Sequence, residues 1–406
     1  MLYFGLEGGQ YLENRSLSSD QIRLWRIAIY FFFAIPGFAF ASWVARTPII
    51  RDTLQASTAE MGWILFGLAV GSLAGLLSAS HFIARSGGRT VMLVCLLVSA
   101  IGLGIIGIGG SWLTHGIVVF TGLAIFGFGI GCCDVAMNVE GTAVEKAAQK
   151  SLLTGYHAAY SLGTLMGAVT GTLAVKSEMS GIVHLLLVAV IVVILSVYFY
   201  RFVPAGTGQD SMADTSAPPM TAKERMAVWK EPRTLIIGII VLSMSLAEGA
   251  ANDWIPLIIV DGYHVAPATG SFAFALFVTA MTIVRATGGV LLDRFGRVVV
   301  LRASAVFALI GLLIVMSGQS FAFAAVGIVF WAIGTAFGFP VGMSAAADDP
   351  RGVAARVGAV ATAGYLAFLV GPPILGLLGE HFGLLRSLFV LLISVTIAGL
   401  LSQAAK

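Results

Sequence analysis

Asp134, Glu248 and Arg285 are ionisable side chains set deep inside long apolar stretches of the chain. A charge in such surroundings is costly unless it is paired or hydrated, so each of the three invites a chemical reading. An acid alternately protonated and ionised can carry a proton, and an ionised one can hold the donor groups of a solute. Glu248 stands about 14 residues, roughly 21 Å, into its apolar run, near the middle of a bilayer. Arg285 needs a partner, and Asp134 is the acid expected at comparable depth; a bond between them would close one side of a central cavity. The alternative is that Arg285 bonds carbonyl groups or seals the loop that follows it. Asn138, Tyr160, Asn252, Trp331 and Tyr365 are the neighbouring polar and aromatic groups that could line a substrate or proton pathway. The competing use of such side chains is to join helices by hydrogen bonds. Asp253 reads as a solvated residue at a helix end, Trp43 and Trp254 as an interfacial aromatic belt, and His157 as a structural histidine. Histidines, cysteines and acids nowhere take metal-ligand spacing, and no glycine-rich loop ends in Lys-Ser or Lys-Thr. No catalytic residue, metal or cofactor is therefore expected, and the chain is not read as an enzyme.

The elements that must hold these residues follow from composition. Charged residues are 11% of the chain and apolar ones 58%, too apolar for a water-soluble globule, so the bilayer is the solvent. Glycine supplies 49 of 406 residues, as suits helices that approach closely in lipid, and Gly67, Gly71 and Gly75 form one such face. Cys95, Cys132 and Cys133 lie in apolar runs and make no disulfide framework. The polar first twenty residues do not read as a signal peptide. Runs long enough to span lie near 24–45, 61–83, 90–110, 116–138, 152–174, 181–202, 234–258, 270–292, 298–317, 321–343, 357–378 and 383–402. The expected fold is thus an all-α membrane protein of twelve transmembrane helices in two six-helix halves. Residues 1–203 and 234–406 form the halves, and 204–233, rich in Pro, Gly, Ser and charge, forms a flexible cytoplasmic linker. The halves echo each other: Gly122 to Gly129 aligns with Gly327 to Gly334 at an offset that also carries Tyr160 onto Tyr365.

Basic residues orient the chain. Of the 23 Lys and Arg, placing the N-terminus in the cytoplasm leaves Arg46, Arg51, Lys176 and Arg386 outside and Arg285 within a span. The remaining eighteen fall inside, so both termini are expected to be cytoplasmic.

The run Gly289-Val-Leu-Leu-Asp293-Arg294-Phe-Gly296-Arg297 matches the G-x-x-x-D-R-x-G-R signature of the major facilitator superfamily, at the place of its second copy. Its glycines permit a tight turn, Asp293 could cap a helix start, and the arginines hold the cytoplasmic face. The first copy carries Ala84 where the family has an acid, followed by Arg85, Gly87, Gly88 and Arg89. Cys133-Asp134-Val-Ala-Met-Asn138 resembles a stretch of the fucose-permease branch, where the acid is implicated in proton coupling near the sugar. The branch's acid in the first span has no counterpart near Val44. Over its length the chain looks most like bacterial inner-membrane proteins of the YbjJ type, on stretches such as Ala247 to Trp254 and Gly364 to Pro373.

The resemblance implies a monomeric secondary transporter of the bacterial inner membrane that moves a small polar solute, sugar-like among the candidates, with protons and without a nucleic-acid partner. Two alternatives stand beside it: a proton-driven exporter of drugs or other amphipathic compounds, and a non-transporting membrane receptor or scaffold. The missing acid at Ala84 is the feature that favours the last.

Overall fold

The structure is a computed structural model that describes residues 18–150, 152–209, 228–348 and 353–406. Twelve helices within it are long and apolar enough to cross a membrane, as expected. Span 1 is Ser19–Val44, followed by a short helix Thr47–Leu54. Spans 2 and 3 form one rod, Thr58–Ser111, broken at Gly87, whose φ of 76° is open to glycine. Span 4 is Gly116–Ala148, span 5 Leu153–Lys176 and span 6 Gly181–Tyr200. Span 7 is Pro232–Tyr263, and spans 8 and 9 are again one rod, Pro267–Met316, broken at Gly296 with φ 75°. Span 10 comes in two pieces, Phe321–Thr335 and Gly338–Ala346; span 11 is Val353–Phe382 and span 12 runs over 384–405.

Local chemistry sets the ends of several helices. Ser18 and Ser57 each accept a backbone N–H three residues on, while Gln21 and Glu60 reach back to the capping residue, so both starts carry reciprocal caps. Pro36, Pro256, Pro372 and Pro373 lie within spans, where each removes the N–H owed to the carbonyl four residues earlier. The two glycine breaks fall at matching places in the two halves, after spans 2 and 8. The repeat read from sequence also has a packing counterpart. Gly122 lies against Gly102 in spans 4 and 3, and Gly327 against Gly311 in spans 10 and 9.

Small residues do the joining. A methyl group added at Gly67, Gly71 or Gly75 would meet the backbone carbonyl of Phe120, Ala124 or Phe128, so this face seats span 2 on span 4. Spans 1 and 7 are the most enclosed of the twelve.

The expected flexible linker is anchored at its described ends. Residues 204–209 lie on the first half, where the Gly88 N–H donates to the Thr207 carbonyl at 2.9 Å. On the other side Glu231, the residue just before span 7, accepts from the Thr234 hydroxyl and pairs with Arg356. Most of the remainder, 210–227, lies outside the described residues.

Spans 1, 3, 5, 7, 9 and 11 all start at one end of the bundle, which also carries the two glycine breaks and is called the basic end below. At the opposite, far end the halves are joined. Arg51 of the short helix pairs with Asp261 of span 7. The Ala59 N–H donates to Glu380 at 3.2 Å, and the Ser271 hydroxyl donates to the Ala45 carbonyl at 2.8 Å. Gly62 of span 2 lies so close to span 11 that an added methyl would stand 2.7 Å from the Pro372 carbonyl oxygen. At the basic end, bonds stay within each half. Asp348 joins Arg233 to Arg297, and Arg302 donates to Ser402 and Gln403. Among the described residues no side-chain hydrogen bond or ion pair crosses between the halves at that end. The molecule is sealed at its far end.

Candidate functional site

Span 10 shows how the sequence builds the centre. Pro340 has no N–H, so the carbonyl of Ala336, four residues before it, loses its helical partner at the break between the two pieces. Arg285 of span 8 fills the gap: its Nε–H donates to that carbonyl at 3.1 Å. Its other arm donates to Glu248 of span 7 at 2.7 Å. Arg285 is thus held by two helices of its own half, with about a third of its side chain still accessible. Sequence depth pointed to Asp134 as the partner; the structure gives Glu248 instead. Counting residues along helices measures depth but not the direction a side chain faces, and Glu248 and Arg285 face each other across the span 7–span 8 contact.

Asp134 lies opposite, half-buried on span 4, without an ion pair among the described residues. Four residues on, the Asn138 amide donates to the Asp134 backbone carbonyl at 2.8 Å, which leaves its own carbonyl oxygen available. Tyr160 of span 5 is within electrostatic reach of Asp134, Arg285 and Glu248 together. Tyr365 of span 11 is within reach of Asp134, and His157 of span 5 within reach of Arg285. These relations cross the division between the halves, so Asp134, His157, Tyr160, Glu248, Arg285 and Tyr365 surround one central region. His157, read as a structural residue, is exposed on its helix with Phe33 against its ring edge.

Span 7 carries a group the sequence reading set aside. From Ser243 to Ile259 every side chain is buried except those of Asn252 and Asp253. Asp253 is not at a helix end, because the helix runs ten residues further, to Tyr263. Pro256 takes the usual helical donor from the Asn252 carbonyl, next to an amide and a carboxylate that are adjacent in the chain. Asp253 makes no hydrogen bond or ion pair among the described residues, and neither does the Asn252 side chain.

Three tryptophans depart from expectation. Trp331 is fully buried, its ring edge-on to Phe277 and its N–H donating to the Ala247 carbonyl at 3.2 Å; it packs span 10 against span 7 and lines no cavity. Trp43 and Trp254 are also buried, not at a membrane surface, because spans 1 and 7 are enclosed by the others.

The motif loops hold the basic end. In the second copy Gly289 lies within the rod. Asp293 and Arg294 are exposed on its last turns before the break, and among the described residues Asp293 makes no capping bond to a helix start. Gly296 makes the break, and Arg297 reaches Asp348 with both oxygens within 2.8 Å. Burial would raise the Asp348 pKa, yet hydrogen bonds from Arg297 and Arg233 outweigh it and hold the carboxyl below its usual range. In the first copy, where Ala84 stands in place of the acid, a different acid from span 4 lies against the loop. Glu140, two turns beyond Asp134, is fully buried beside Gly88. Thr207, Arg89 and Trp25 surround it, though strict hydrogen-bond geometry leaves both its oxygens unmatched. Arg89 lies over the Tyr200 ring at 3.9 Å. The apolar run near 116–138 stops short of Glu140, whereas the helix itself continues to Ala148. At the far end, burial opposes the charge on Arg51. Its hydrogen bonds to Asp261 and Asp52 outweigh that and raise its pKa, so the latch arginine stays a cation.

A family model described as Major Facilitator Superfamily matches residues 26–263 and 237–405. An uncharacterised MFS-type transporter of Yersinia pestis is 25% identical over 351 residues, 86% of this chain and 87% of the relative. Among solved structures, a variant of the nucleoside transporter NupG superposes with a TM-score of 0.78 at 16% identity, covering 94% of this chain and 98% of that one. The fucose:proton symporter FucP of E. coli superposes with a TM-score of 0.61 at 15% identity, covering 94% and 99%. At these identities the two structures speak for the fold alone.

Proposed function

We propose that this chain, which belongs to the Major Facilitator Superfamily, is a proton-coupled secondary transporter of a small polar solute. The halves 1–203 and 234–406 rock about the central region while 204–233 tethers them. The observation that carries this reading is the contrast between the acids at the centre. Glu248 is clamped by Arg285, whereas Asp134 and Asp253 have no cation among the described residues. An ionised carboxylate between apolar helices must find a proton or a donor group of a solute. Asp134 with Asn138 and Tyr160 on one half, and Asp253 with Asn252 and Tyr365 on the other, offer acceptors and hydroxyls to a hydroxyl-rich molecule. The names of the solved neighbours, a nucleoside transporter and a fucose:proton symporter, support solutes of that kind. With the basic end in the cytoplasm of a bacterial inner membrane, as the placement of Lys and Arg favours, the sealed end faces outward and the cavity opens inward.

The test is proton movement driven by solute. Proteoliposomes enclosing a pH-sensitive dye would be offered sugars and nucleosides in turn. One class should change the internal pH, and Asp134→Asn or Asp253→Asn should abolish that change. Solute entering at an equal rate with no proton movement would remove the coupling.

A further inference from the structure

Spans 5 and 6 follow one another in sequence yet scarcely touch; span 5 leans on span 1, and span 6 on the span 2–3 rod and on span 1. The space between them is a cavity of about 700 Å³ at the far end of the first half, outside the central region. Phe38 forms its floor and Leu173, Leu187 and Ile191 its walls, with those three exposed where acyl chains of the bilayer would lie. Lys176 stands at its mouth.

The head of this groove has unusual chemistry for so apolar a place. His184 lines it although only 5% exposed. Its Nδ1 accepts the Arg46 Nε–H at 3.0 Å, and an arginine has nothing but protons to offer. The ring's own proton therefore sits on Nε2, a donor with no protein partner among the described residues. Arg46 is itself almost wholly buried. One arm donates to the Met179 carbonyl at 2.8 Å; among the described residues another has no partner and no acid pairs with it. Burial lowers its pKa to about 10, so it remains a cation at neutral pH. Glu178 of the same turn is exposed and pairs with neither Arg46 nor Lys176 among the described residues. Positive charge is in excess.

We infer that this groove binds an anionic phospholipid of the surrounding leaflet, its phosphate taken by His184 and Lys176 and an acyl chain laid against Phe38, Leu187 and Ile191. Charge complementarity chooses the occupant: Arg46 and Lys176 against a single exposed acid call for an anion, and the apolar lateral opening calls for one that carries a chain. A zwitterionic lipid offers the same phosphate but adds a cationic headgroup where positive charge is already in excess.

The experiment is lipid retention by purified protein in neutral detergent, read by native mass spectrometry with phosphatidylglycerol, phosphatidylcholine and oleate as separate probes. Phosphatidylglycerol should be held about tenfold more tightly than phosphatidylcholine, as fits one charge-assisted contact. His184→Phe should erase that preference. Leu187→Trp, which fills the groove while leaving Arg46 and His184 bonded, should erase it too and keeps the test decisive if the histidine variant folds poorly. Equal retention of the two phospholipids, or a preference that survives Leu187→Trp, would overturn the site. Oleate retained as strongly as phosphatidylglycerol would overturn the phospholipid assignment in favour of a free carboxylate.

Discussion

A carboxylate among apolar helices is defined by its partner, and the central acids divide on that basis. Glu248 accepts a charge-assisted bond from Arg285, so its first duty is to hold spans 7 and 8 together. Glu248→Gln should cost about 1–2 kcal/mol, the range for a hydrogen bond to a charged group discounted for the accessible face of Arg285. A lowered melting temperature would report it. Asp253 holds nothing among the described residues, so Asp253→Asn should leave melting unchanged and remove solute-driven proton flux. Reversal of the two outcomes would exchange their roles. The proposed meeting of Asp134 with Arg285 belongs to the opposite state, sealed at the basic end, since here Arg285 is held in its own half. If they meet there, Asp134→Arg with Arg285→Asp should restore part of the closure that either single change removes. A double variant no better than the singles would leave Arg285 as an anchor of spans 7, 8 and 10.

Elements place these residues through their defects. Pro340 frees the Ala336 carbonyl that Arg285 needs, and Pro256 frees the Asn252 carbonyl beside Asp253. Pro340→Ala should return the N–H to span 10, straighten it and loosen Arg285, visible as weaker melting that Glu248→Gln no longer worsens by its full amount. The seal at the far end rests on close approach at Gly62. Gly62→Val drives methyl groups into the Pro372 carbonyl and should prise span 2 from span 11. A cysteine at position 252 should then react with an impermeant maleimide from the far side, where the parent background stays protected. At the basic end Asp348 fastens the motif loop to span 7. Its folded pKa is depressed, so its contribution is complete above the ordinary carboxylate value of about 3.9 and fades as pH falls through the lower folded value. Melting of the wild type should therefore lose stability at acid pH that Asp348→Asn has already lost at pH 7.

Over the whole molecule, hydropathy and basic asymmetry gave twelve spans, and the Asp293 loop marked the break that Gly296 makes, because both depend on residue type counted along one chain. What stayed hidden depends on rotation about helix axes and on helix length. The facing of Glu248 toward Arg285, the burial of Trp331, the distance of Asp253 from the end of a span 7 that runs on to Tyr263, and the membership of Glu140 in span 4 are all of that kind. Transport by this fold requires the halves to exchange closure between the two ends. Spin labels at Thr53 and His381 would report the far end, and labels at Ser86 and Phe295 the basic end; all four positions are exposed. Electron-electron distance measurements in nanodiscs should show two populations at each end, the far pair lengthening as the basic pair shortens when pH or solute is changed. A single fixed distance at both ends under every condition would contradict the claim and leave a membrane protein that keeps the fold without the motion.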